Sequence, residues 1–586
     1  RKYVTEHKLV SLVRRLEINI ENTNLAFITK YTKSQAWWNP LSPSPSPEGN
    51  PAIHAVGLLE GETKRFLDLA VRVGHTKVLG TTRVGKTRLA EIFIAQDIRR
   101  GDVTIVFDPK GDPDLFKRMY VEAKKANRLD KLYFFHLGYP EFSARYNPVG
   151  NFMRVTEVAA RIAGQMPGEG ASQAFREFVW RYVNVIAKGL TALGRKIDFE
   201  QIKFYGEDIE PLLIDYLEFL LNKRSKDNPK KSDWREMVSL YENNYRHNEK
   251  GFKRSRNQED RGDRALALVK FCKDNKISDY VSHSIIKTFE YDKKHFDNLV
   301  ASLMPLMEKL CTGKCSELIS PDYLDLEDKR PIFSWSEIIA SGGIVYVGLD
   351  ALSDPEVAAA VGNSMFADLT AIAGRIYKKG PHSNLPGGQP SAKAINIHAD
   401  EFNELIGDEF IPLLNKAGGA NYQVTAYTQT WSDVIARLQS EAKAGQTDGN
   451  FNTTFMLRVL EEKTAKMLTD SLKQVPIAHL MTVSGTTDST DPDSDTDFSS
   501  KTEQRNTTQM VDLVHPSDIK SLPKGHCFAQ LEGGTLYKLR LPMPDNADYK
   551  DIPDDLRKIT EDMEEKYRSS NDWFQYTPSW SKKKEA

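Results

Sequence analysis

Hydrophobic residues follow a strand-and-helix rhythm in two separate stretches of the chain. Between residues 58 and 150, short apolar runs such as VTIVFD and LYFFHLG alternate with the amphipathic segment KTRLAEIFIAQDIRR. Between residues 331 and 545, runs such as GGIVYVGLD, AINIHADE and QVTAYTQ alternate with helical segments in the same way. Alternating strand and helix patterns are typical of an α/β fold with a mostly parallel sheet. We therefore expect the two stretches to form the two parts of one α/β domain.

Residues 151–330, which lie between these stretches, have a different pattern. Strand-like runs nearly vanish, and segments such as FREFVWRYVNVIAKGL place apolar residues at three- and four-residue spacing. That spacing puts the apolar side chains on one face of a helix. The pattern predicts an all-α domain inserted into the α/β domain.

Three further segments are set apart by their composition. Residues 1–57 form an N-terminal region that ends in a Ser/Pro-rich linker, WWNPLSPSPSPEGNP, which favours extended conformations. Residues 484–504 are rich in Ser, Thr and Asp and poor in apolar residues, so we expect a mobile loop there. Residues 546–586 form a charged C-terminal tail, which we expect to lie on the body of the protein or to contact a partner.

Length and composition narrow the class of protein. At 586 residues the chain exceeds a single core of usual size, and 80 Lys and Arg residues against 81 Asp and Glu leave a net charge of -1. Any surface that binds nucleic acid is therefore local. The four cysteines are too scattered for a disulfide framework, and the pair in CTGKC lacks the further ligands of a structural zinc site. The sequence favours a multi-domain protein of a reducing compartment.

The sequence also bears on membrane attachment. No run of about 18 apolar residues occurs, so we predict that this chain does not itself cross a membrane. The first residue is Arg1 rather than Met, so we expect an upstream N-terminal piece that could carry membrane helices or a targeting signal.

A phosphate-binding motif lies between an apolar strand and an amphipathic helix. The residues that fit GxxxxGK[ST], with the arginine that follows them, are Gly80, Thr81, Thr82, Arg83, Val84, Gly85, Lys86, Thr87 and Arg88. Glycines let the backbone N–H groups of such a loop surround phosphates at the start of a helix. Lys86 is expected to neutralise the β- and γ-phosphates, and the Thr87 hydroxyl to bind Mg²⁺. The motif predicts a site for ATP and Mg²⁺.

Two carboxylates and an amide follow later strands of the predicted sheet. Asp400 and Glu401 end the apolar run AINIHA, and Gln429 ends the run QVTAYTQ. Ligands of open α/β sheets bind at the carboxyl ends of the strands. We predict that Asp400 holds Mg²⁺, that Glu401 polarises the attacking water as general base, and that Gln429 senses the γ-phosphate. The alternative for each is an exposed polar residue at a strand end.

Three other features permit both a functional and a structural interpretation. The sequence DPKGD at residues 108–112 is either part of the site or a turn formed by Pro and Gly. Arg458 either stabilises transition-state charge across a subunit boundary or is a surface charge. A basic run in the helical insertion either binds DNA phosphates or is a solvated face. Its members are Lys223, Arg224, Lys226, Lys230, Lys231, Arg235, Arg246, Lys250, Lys253, Arg254 and Arg256. Lone histidines such as His398 are expected to have local structural roles.

The order of these motifs resembles the TraD/TraG-type coupling proteins of type IV secretion, which belong to the FtsK/HerA-like P-loop motors. The resemblance covers most of the chain and is closest to the SXT/TOL-like subgroup of integrative conjugative elements. It rests on GTTRVGKTR, VFDPKGD, the helical insertion, NIHADEFNEL, YQVTAYTQTWSD, NFNTTFMLR and GHCFAQLEGGTLYKLRLP. One departure is the turn NKAGGANYQ, where relatives often have a basic feature. Lys416 and Arg458 are therefore the candidates for a cation that acts in trans.

The resemblance implies a RecA-like nucleotide-binding domain with an all-α domain, in a homo-hexamer at the cytoplasmic face of the bacterial inner membrane. It implies ATP-driven translocation of single- or double-stranded DNA, with relaxase, relaxosome proteins and type IV secretion channel components as partners. The membrane anchor would be the missing N-terminal segment. By this resemblance Lys86, Thr87, Asp400, Glu401 and Gln429 have nucleotide roles. Two alternatives stay open, namely an ATPase that powers protein secretion and a nucleotide-gated docking platform without motor activity.

Overall fold

We describe the protein from a computed structural model. It describes residues 26–32, scattered positions before residue 40, and residues 64–560 with the gaps 167–171, 228–232, 256–257, 292–302, 326, 380–392, 408–409, 489–492, 494–497, 532–533 and 543–554. Nearly all of the predicted Ser/Pro-rich linker and most of the predicted C-terminal tail lie outside the described residues.

A nine-stranded sheet forms the centre of the α/β domain. Its strands are β1 Thr76–Leu79, β2 Val103–Asp108, β3 Leu132–His136, β4 Ile344–Gly348, β5 Ile395–Ala399, β6 Tyr422–Thr428, β7 Thr453–Met456, β10 His526–Gln530 and β11 Leu536–Arg540. Their spatial order is β11-β10-β7-β1-β6-β5-β2-β4-β3. The strands from β7 to β3 in this order run parallel, whereas β10 and β11 are antiparallel to their neighbours. The carboxyl ends of the parallel strands therefore meet at one edge.

Both faces of the sheet are buried, because alternate residues of one strand enter two different cores. Ile105 and Phe107 belong to one hydrophobic cluster and Val106 to the other. Burial on both faces explains why these strands are apolar throughout. The helices of this domain are Lys86–Arg100, Pro113–Lys125, Trp335–Ser341, Pro355–Lys379, Phe402–Leu405, Phe410–Lys416, Trp431–Leu438, Glu441–Asp448, Glu462–Thr469 and Pro516–Lys520. Shorter helical turns span Ala26–Ile28, Thr29–Thr32, Leu69–Gly74, Leu129–Lys131, Pro140–Phe142 and Gly418–Ala420.

The described residues between 151 and 330 contain helices and no strand. The helices are Thr156–Ala163, Ser172–Ala192, Phe199–Glu207, Glu210–Asp227, Trp234–Arg246, Asp263–Asp274, Tyr280–Phe289, Met304–Leu310 and Gly313–Ile319. Local sequence sets some of their ends: Asp279 and Ser282 form a reciprocal capping box at the start of Tyr280–Phe289. The prediction of a RecA-like α/β fold with an inserted all-α domain is confirmed.

The helix Pro355–Lys379 connects the sheet to the helical insertion. It is long and apolar enough to cross a membrane by length and composition, yet most of its surface is buried inside the protein. Phe366 packs on Phe107 of β2 with ring centroids 4.4 Å apart. On the side of the insertion, Asp368 accepts a hydrogen bond from Tyr146 at 2.6 Å and lies 3.4 Å from Arg161. This helix is therefore a core helix that both parts of the chain share.

Residues 484–488 and 498–504 of the predicted mobile loop are strands instead, whereas residues 489–492 and 494–497 lie outside the described residues. Strands β8, Gln474–Asp488, and β9, Phe498–Asp512, form a two-stranded antiparallel ribbon with Gln474 opposite Asp512 and Asp488 opposite Phe498. Thr and Val occur throughout the pair and favour strands, which outweighs the low apolar content. Val483 and Met510 are exposed. These two apolar side chains of the ribbon are therefore not part of a hydrophobic core.

The described part of the C-terminal tail, residues 555–560, lies on the α/β domain. Ile559 is fully buried in the same hydrophobic cluster as Phe116 of the helix Pro113–Lys125. The guanidinium of Arg557 lies over the ring of Phe142, 5.3 Å from its centroid, which is within the distance of a cation–π contact. At least this part of the tail packs on the body of the protein.

A buried ionic cluster fixes the helix Lys86–Arg100 to the sheet. Asp97 is fully buried and bonds to Arg72 at 2.5 Å, to Arg100 at 2.6 Å and to His398 at 2.8 Å. His398 also lies 3.0 Å from the Tyr427 hydroxyl, which confirms its local structural role. Burial alone would raise the pKa of Asp97, but the hydrogen bond from His398 and the charge of Arg72 hold it well below its usual value.

Asp97→Asn is expected to lower the free energy of unfolding by about 3 kcal/mol, because it leaves the buried Arg72 guanidinium without its counter-charge. Urea unfolding followed by tryptophan fluorescence measures this change. The control is Asp114→Asn on an exposed helix turn, with an expected change of about 0.5 kcal/mol or less. Equal stability of the two variants would contradict the role given to this cluster.

Candidate nucleotide site at the carboxyl edge of the sheet

The phosphate-binding loop is a tight turn between β1 and the helix Lys86–Arg100. Its first N–H groups are tied to neighbouring strands, because Gly80 donates to Thr428 O at 3.2 Å and Thr81 donates to Arg458 O at 2.9 Å. Gly85 has a φ of 117°, a conformation that residues with a side chain rarely adopt. The loop then opens into the first turn of the helix, whose N–H groups have no partner within the helix. This is the geometry of an anion-binding loop.

Lys86 is the residue at which the sequence motif and the structure agree most closely. It is 8 % exposed, and its Nζ has no hydrogen-bond partner among the described residues. Burial lowers the pKa of Lys86, and the charges of Glu401 and Asp400 only partly offset this effect. A buried ammonium without a partner is costly unless an anion joins it. The orphaned Nζ therefore fits a bound phosphate group.

Asp400 and Glu401 follow β5. In the sheet, β6 lies between β5 and β1. The Asp400 N–H donates to Phe107 O at 2.9 Å, which holds this turn against β2. Burial, Asp108 and Glu401 together raise the pKa of Asp400 to about 7. Glu401 is buried and has a φ of 39°, in the left-handed region that costs a non-glycine residue about 1 kcal/mol or more. Strain of this kind is typical of functional sites.

The sequence DPKGD forms a turn that belongs to this edge. The Asp108 carboxylate accepts hydrogen bonds from the N–H groups of Lys110, Gly111 and Asp112 at 2.9, 3.0 and 2.7 Å. It also accepts one from the Tyr346 hydroxyl at 2.8 Å. Burial raises the pKa of Asp108, although these hydrogen bonds oppose the rise. The interpretation of DPKGD as a turn is therefore confirmed. The turn lies beside Asp400, and its part in the site stays a prediction.

Lys110 and Gln429 both contact Glu401. The Lys110 ammonium forms an ion pair with Glu401 Oε1, and the Gln429 amide nitrogen lies 3.4 Å from both carboxylate oxygens. No role for Lys110 by itself follows from the sequence pattern. The signal that could have found it is its position directly after β2, the neighbour of β5 in the sheet.

The other residues of the predicted phosphate-binding motif differ in burial and in their contacts. Val84 is buried in the core below the loop. Arg88 pairs with Glu91 at 2.8 Å. Three residues of the loop are exposed on its outer side, namely Thr82, Arg83 and Thr87. Thr87 stands one residue after Lys86, in the first turn of the helix. A Mg²⁺ site with few protein ligands fits Thr87 and Asp400, because Mg²⁺ keeps several waters and binds phosphate oxygens.

The two candidates for a cation in trans lie at opposite edges of the sheet. Arg458 follows β7, and its carbonyl contacts the phosphate-binding loop of its own chain. Lys416 precedes β6 and is exposed, so it lies at the amino edge, away from Gln429. Lys416 therefore lies away from the candidate nucleotide site of its own chain, whereas Arg458 lies beside the phosphate-binding loop.

The basic run of the insertion contains two kinds of residue. Three of its arginines have acidic neighbours: Arg254 pairs with Asp263, Arg246 lies 3.5 Å from Glu242, and Arg235 lies 3.5 Å from Asp233. Lys230, Lys231 and Arg256 lie outside the described residues. Exposed members of the run are Lys223, Arg224, Lys250 and Lys253. The exposed lysines are the better candidates for phosphate contacts.

The four cysteines are free thiols, and burial raises the pKa of Cys311 to about 12 and that of Cys315 to about 11. Within the described part of the chain, no group of three or more His, Cys, Asp or Glu residues has the arrangement of a metal site.

Solved structures with a similar fold include two forms of the plasmid coupling protein TrwB. The unbound TrwBdeltaN70 is 14 % identical, with 85 % of this chain and 92 % of that chain covered and a TM-score of 0.49. TrwB in complex with ADP and Mg²⁺ is 12 % identical, with the same coverage and a TM-score of 0.48. VirB4 of Thermoanaerobacter pseudethanolicus is 12 % identical, with 83 % and 95 % covered and a TM-score of 0.39.

Sequence comparison gives a narrower result. No curated protein matches the chain. Residues 395–524, however, match a protein family described as the TraM recognition site of TraD and TraG. This segment begins at β5, contains Asp400, Glu401 and Gln429, and ends shortly before β10. The match confirms the resemblance to TraD/TraG-type coupling proteins, and residues 395–524 of the chain belong to this family.

Proposed function

We propose that the chain is the motor part of an ATP-hydrolysing conjugative coupling protein, which links relaxase-bound DNA to a type IV secretion channel and drives DNA translocation. The observation that carries the proposal is the convergence of Lys86, Asp400 and Glu401 at one sheet edge, two of them within the segment that matches TraD and TraG. The convergence supports ATP hydrolysis, and the family match supports coupling to conjugation.

Each residue of the site has a distinct role in this proposal. Lys86 and the N–H groups of the loop bind the β- and γ-phosphates. Thr87 and Asp400 would hold Mg²⁺, which adds positive charge beside the phosphates when bound. Glu401 accepts a proton from the attacking water, and the Gln429 amide beside it senses the γ-phosphate. Arg458 or Lys416 of a neighbouring subunit stabilises the charge that develops on the phosphate.

Work on DNA requires surfaces outside the nucleotide site. We assign the DNA contact to the helical insertion, which exposes Lys223, Lys250 and Lys253 and contains no phosphate-loop motif. Residues 395–524 provide the contact with a TraM-like relaxosome protein. A homo-hexameric ring at the cytoplasmic face of the inner membrane, anchored by an N-terminal segment, would hold these surfaces around the DNA.

DNA is expected to raise the rate of ATP hydrolysis several-fold, because a translocating motor couples turnover to its track. The binding constant for DNA is expected to fall with salt, with a log-log slope of about one unit per phosphate contact. Replacing Lys223, Lys250 and Lys253 together by Gln should make that slope shallower by up to about three units. The control is the triple replacement of Lys124, Lys463 and Lys466, exposed lysines of the α/β domain.

Hydrolysis that DNA leaves unchanged would contradict the motor proposal and would favour protein secretion. Nucleotide binding without hydrolysis would favour a docking platform. An unchanged salt slope in the first triple variant would place the DNA contact elsewhere on the chain.

Lys86→Ala is expected to abolish hydrolysis, because it removes the charge that binding and the transition state both use. Glu401→Gln is expected to retain ATP binding and to lower kcat by about 100-fold or more, since an amide cannot accept the proton. Their controls are Lys124→Ala and Glu404→Gln, both at exposed positions. Steady-state hydrolysis and fluorescent-nucleotide binding distinguish the effects. Turnover near wild type in Lys86→Ala would exclude this loop as the catalytic site.

Asp400→Asn is expected to raise the stability of the protein at pH 8 and to abolish its activity. The pKa of Asp400 is raised from 3.8 to about 7, so the wild-type protein loses stability as pH rises through this interval and the carboxylate becomes charged. At pH 8 the variant should therefore be more stable by about 1 kcal/mol, a value reduced for partial exposure to solvent. Its Mg²⁺-dependent hydrolysis should be lost. Thermal melts at pH 5 and pH 8, beside an activity assay, test both expectations, and a stability gain at pH 5 only would contradict them.

A further inference from the structure

We propose that Lys110 is a positioning residue that restrains Glu401 when the motor is idle. The ion pair between the Lys110 ammonium and Glu401 Oε1 occupies one of the oxygen atoms that would accept a proton from the attacking water. This inference rests on the proposed function, because it assigns a regulatory partner to the proposed general base.

The turn that carries Lys110 is held rigidly. Asp108 accepts hydrogen bonds from the N–H groups of the next residues, and the buried Tyr346 hydroxyl fixes Asp108 in turn. In the loop after β4, the Ala351 N–H donates a hydrogen bond to Pro109 O at 2.7 Å. A side chain at Gly111 would collide with His136, so the chain must turn here without one. Lys110 is therefore presented to Glu401 by a fixed backbone.

The two partners differ in their freedom to move. The Glu401 side chain is 8 % exposed and its backbone is strained, whereas the Lys110 side chain is 48 % exposed. An ion pair with one partner half in solvent is worth only about 1 kcal/mol or less. Lys110 can therefore leave Glu401 at small cost, which suits a restraint that is released in every cycle.

The positions of Lys86 and Lys110 beside the carboxylates indicate that the two lysines have different roles. Lys86 and Lys110 both lie close to Asp400 and Glu401, so they flank the same carboxylates. Lys86 is buried at the base of the phosphate-binding loop. This position suits a residue that remains in contact with the phosphates. Lys110 comes from another strand and contacts the general base instead. Its removal should therefore free Glu401 rather than weaken nucleotide binding.

The test measures kcat and KM for ATP in Lys110→Met and Lys110→Arg, with and without DNA. In Lys110→Met, kcat without DNA should rise about fivefold, the factor that corresponds to about 1 kcal/mol. The DNA-stimulated kcat and KM should stay within about twofold of wild type, so the stimulation ratio falls. Lys110→Arg keeps the charge and should restore the low basal rate. Lys124→Met is the control for loss of an exposed lysine on the helix that follows the turn.

The double variant Lys110→Met with Glu401→Gln separates this proposal from the proposed function. If the restraint acts on Glu401, the double variant is as inactive as Glu401→Gln alone. A basal kcat in Lys110→Met that is unchanged or lower, or a tenfold higher KM, overturns the restraint while the ATPase assignment of Lys86 and Glu401 stands. If wild type and Glu401→Gln hydrolyse ATP equally, the proposed function itself has failed.

Discussion

Charge balance at the carboxyl edge of one buried sheet is the constraint on which the rest of the site depends. Parallel strand order brings the carboxylates of Asp108, Asp400 and Glu401 to one place, where burial weakens the screening of their charges by solvent. Hydrogen bonds from backbone and Tyr346 stabilise Asp108, and Lys110 pairs with Glu401, but Asp400 keeps a pKa of about 7. Lys86 carries the opposite charge, and its buried ammonium has no hydrogen-bond partner in the described part of the chain. A magnesium nucleotide would relieve both defects at once.

Sequence patterns predicted the elements of this site well, because each motif residue comes directly after an apolar strand. The strand that precedes Asp400 and the one that precedes Gln429 read as continuous apolar runs, as burial on both sheet faces requires. The helical insertion was predictable from its spacing, and the closing strands β10 and β11 from the resemblance of GHCFAQLEGGTLYKLRLP to a nucleotide-domain ending. The parallel order then follows from the alternation of strands and helices.

Features that depend on distant pairing were not predictable. The ribbon of β8 and β9 is an example, since Thr and Ser count as loop residues by composition and become strand residues only when a partner strand aligns with them. The contact between Lys110 and Glu401 is another, because it joins residues 291 positions apart in the sequence. The location of Arg458 beside its own phosphate-binding loop also depends on β7 being the neighbour of β1. A single sequence contains no signal for that adjacency.

The strand order has a consequence for how this protein is made. Thr76 of β1 lies opposite Thr425 and Thr453, so the strand that begins the phosphate-binding loop has its neighbours far along the chain. The helices of the insertion pack largely on one another, so most of these contacts can form before the C-terminal half is synthesised, whereas β1 must wait for β6 and β7. A chain that terminates before β6 and β7 lacks both walls of the phosphate-binding loop. Products truncated there cannot complete this loop, so a working subunit requires synthesis at least through β7.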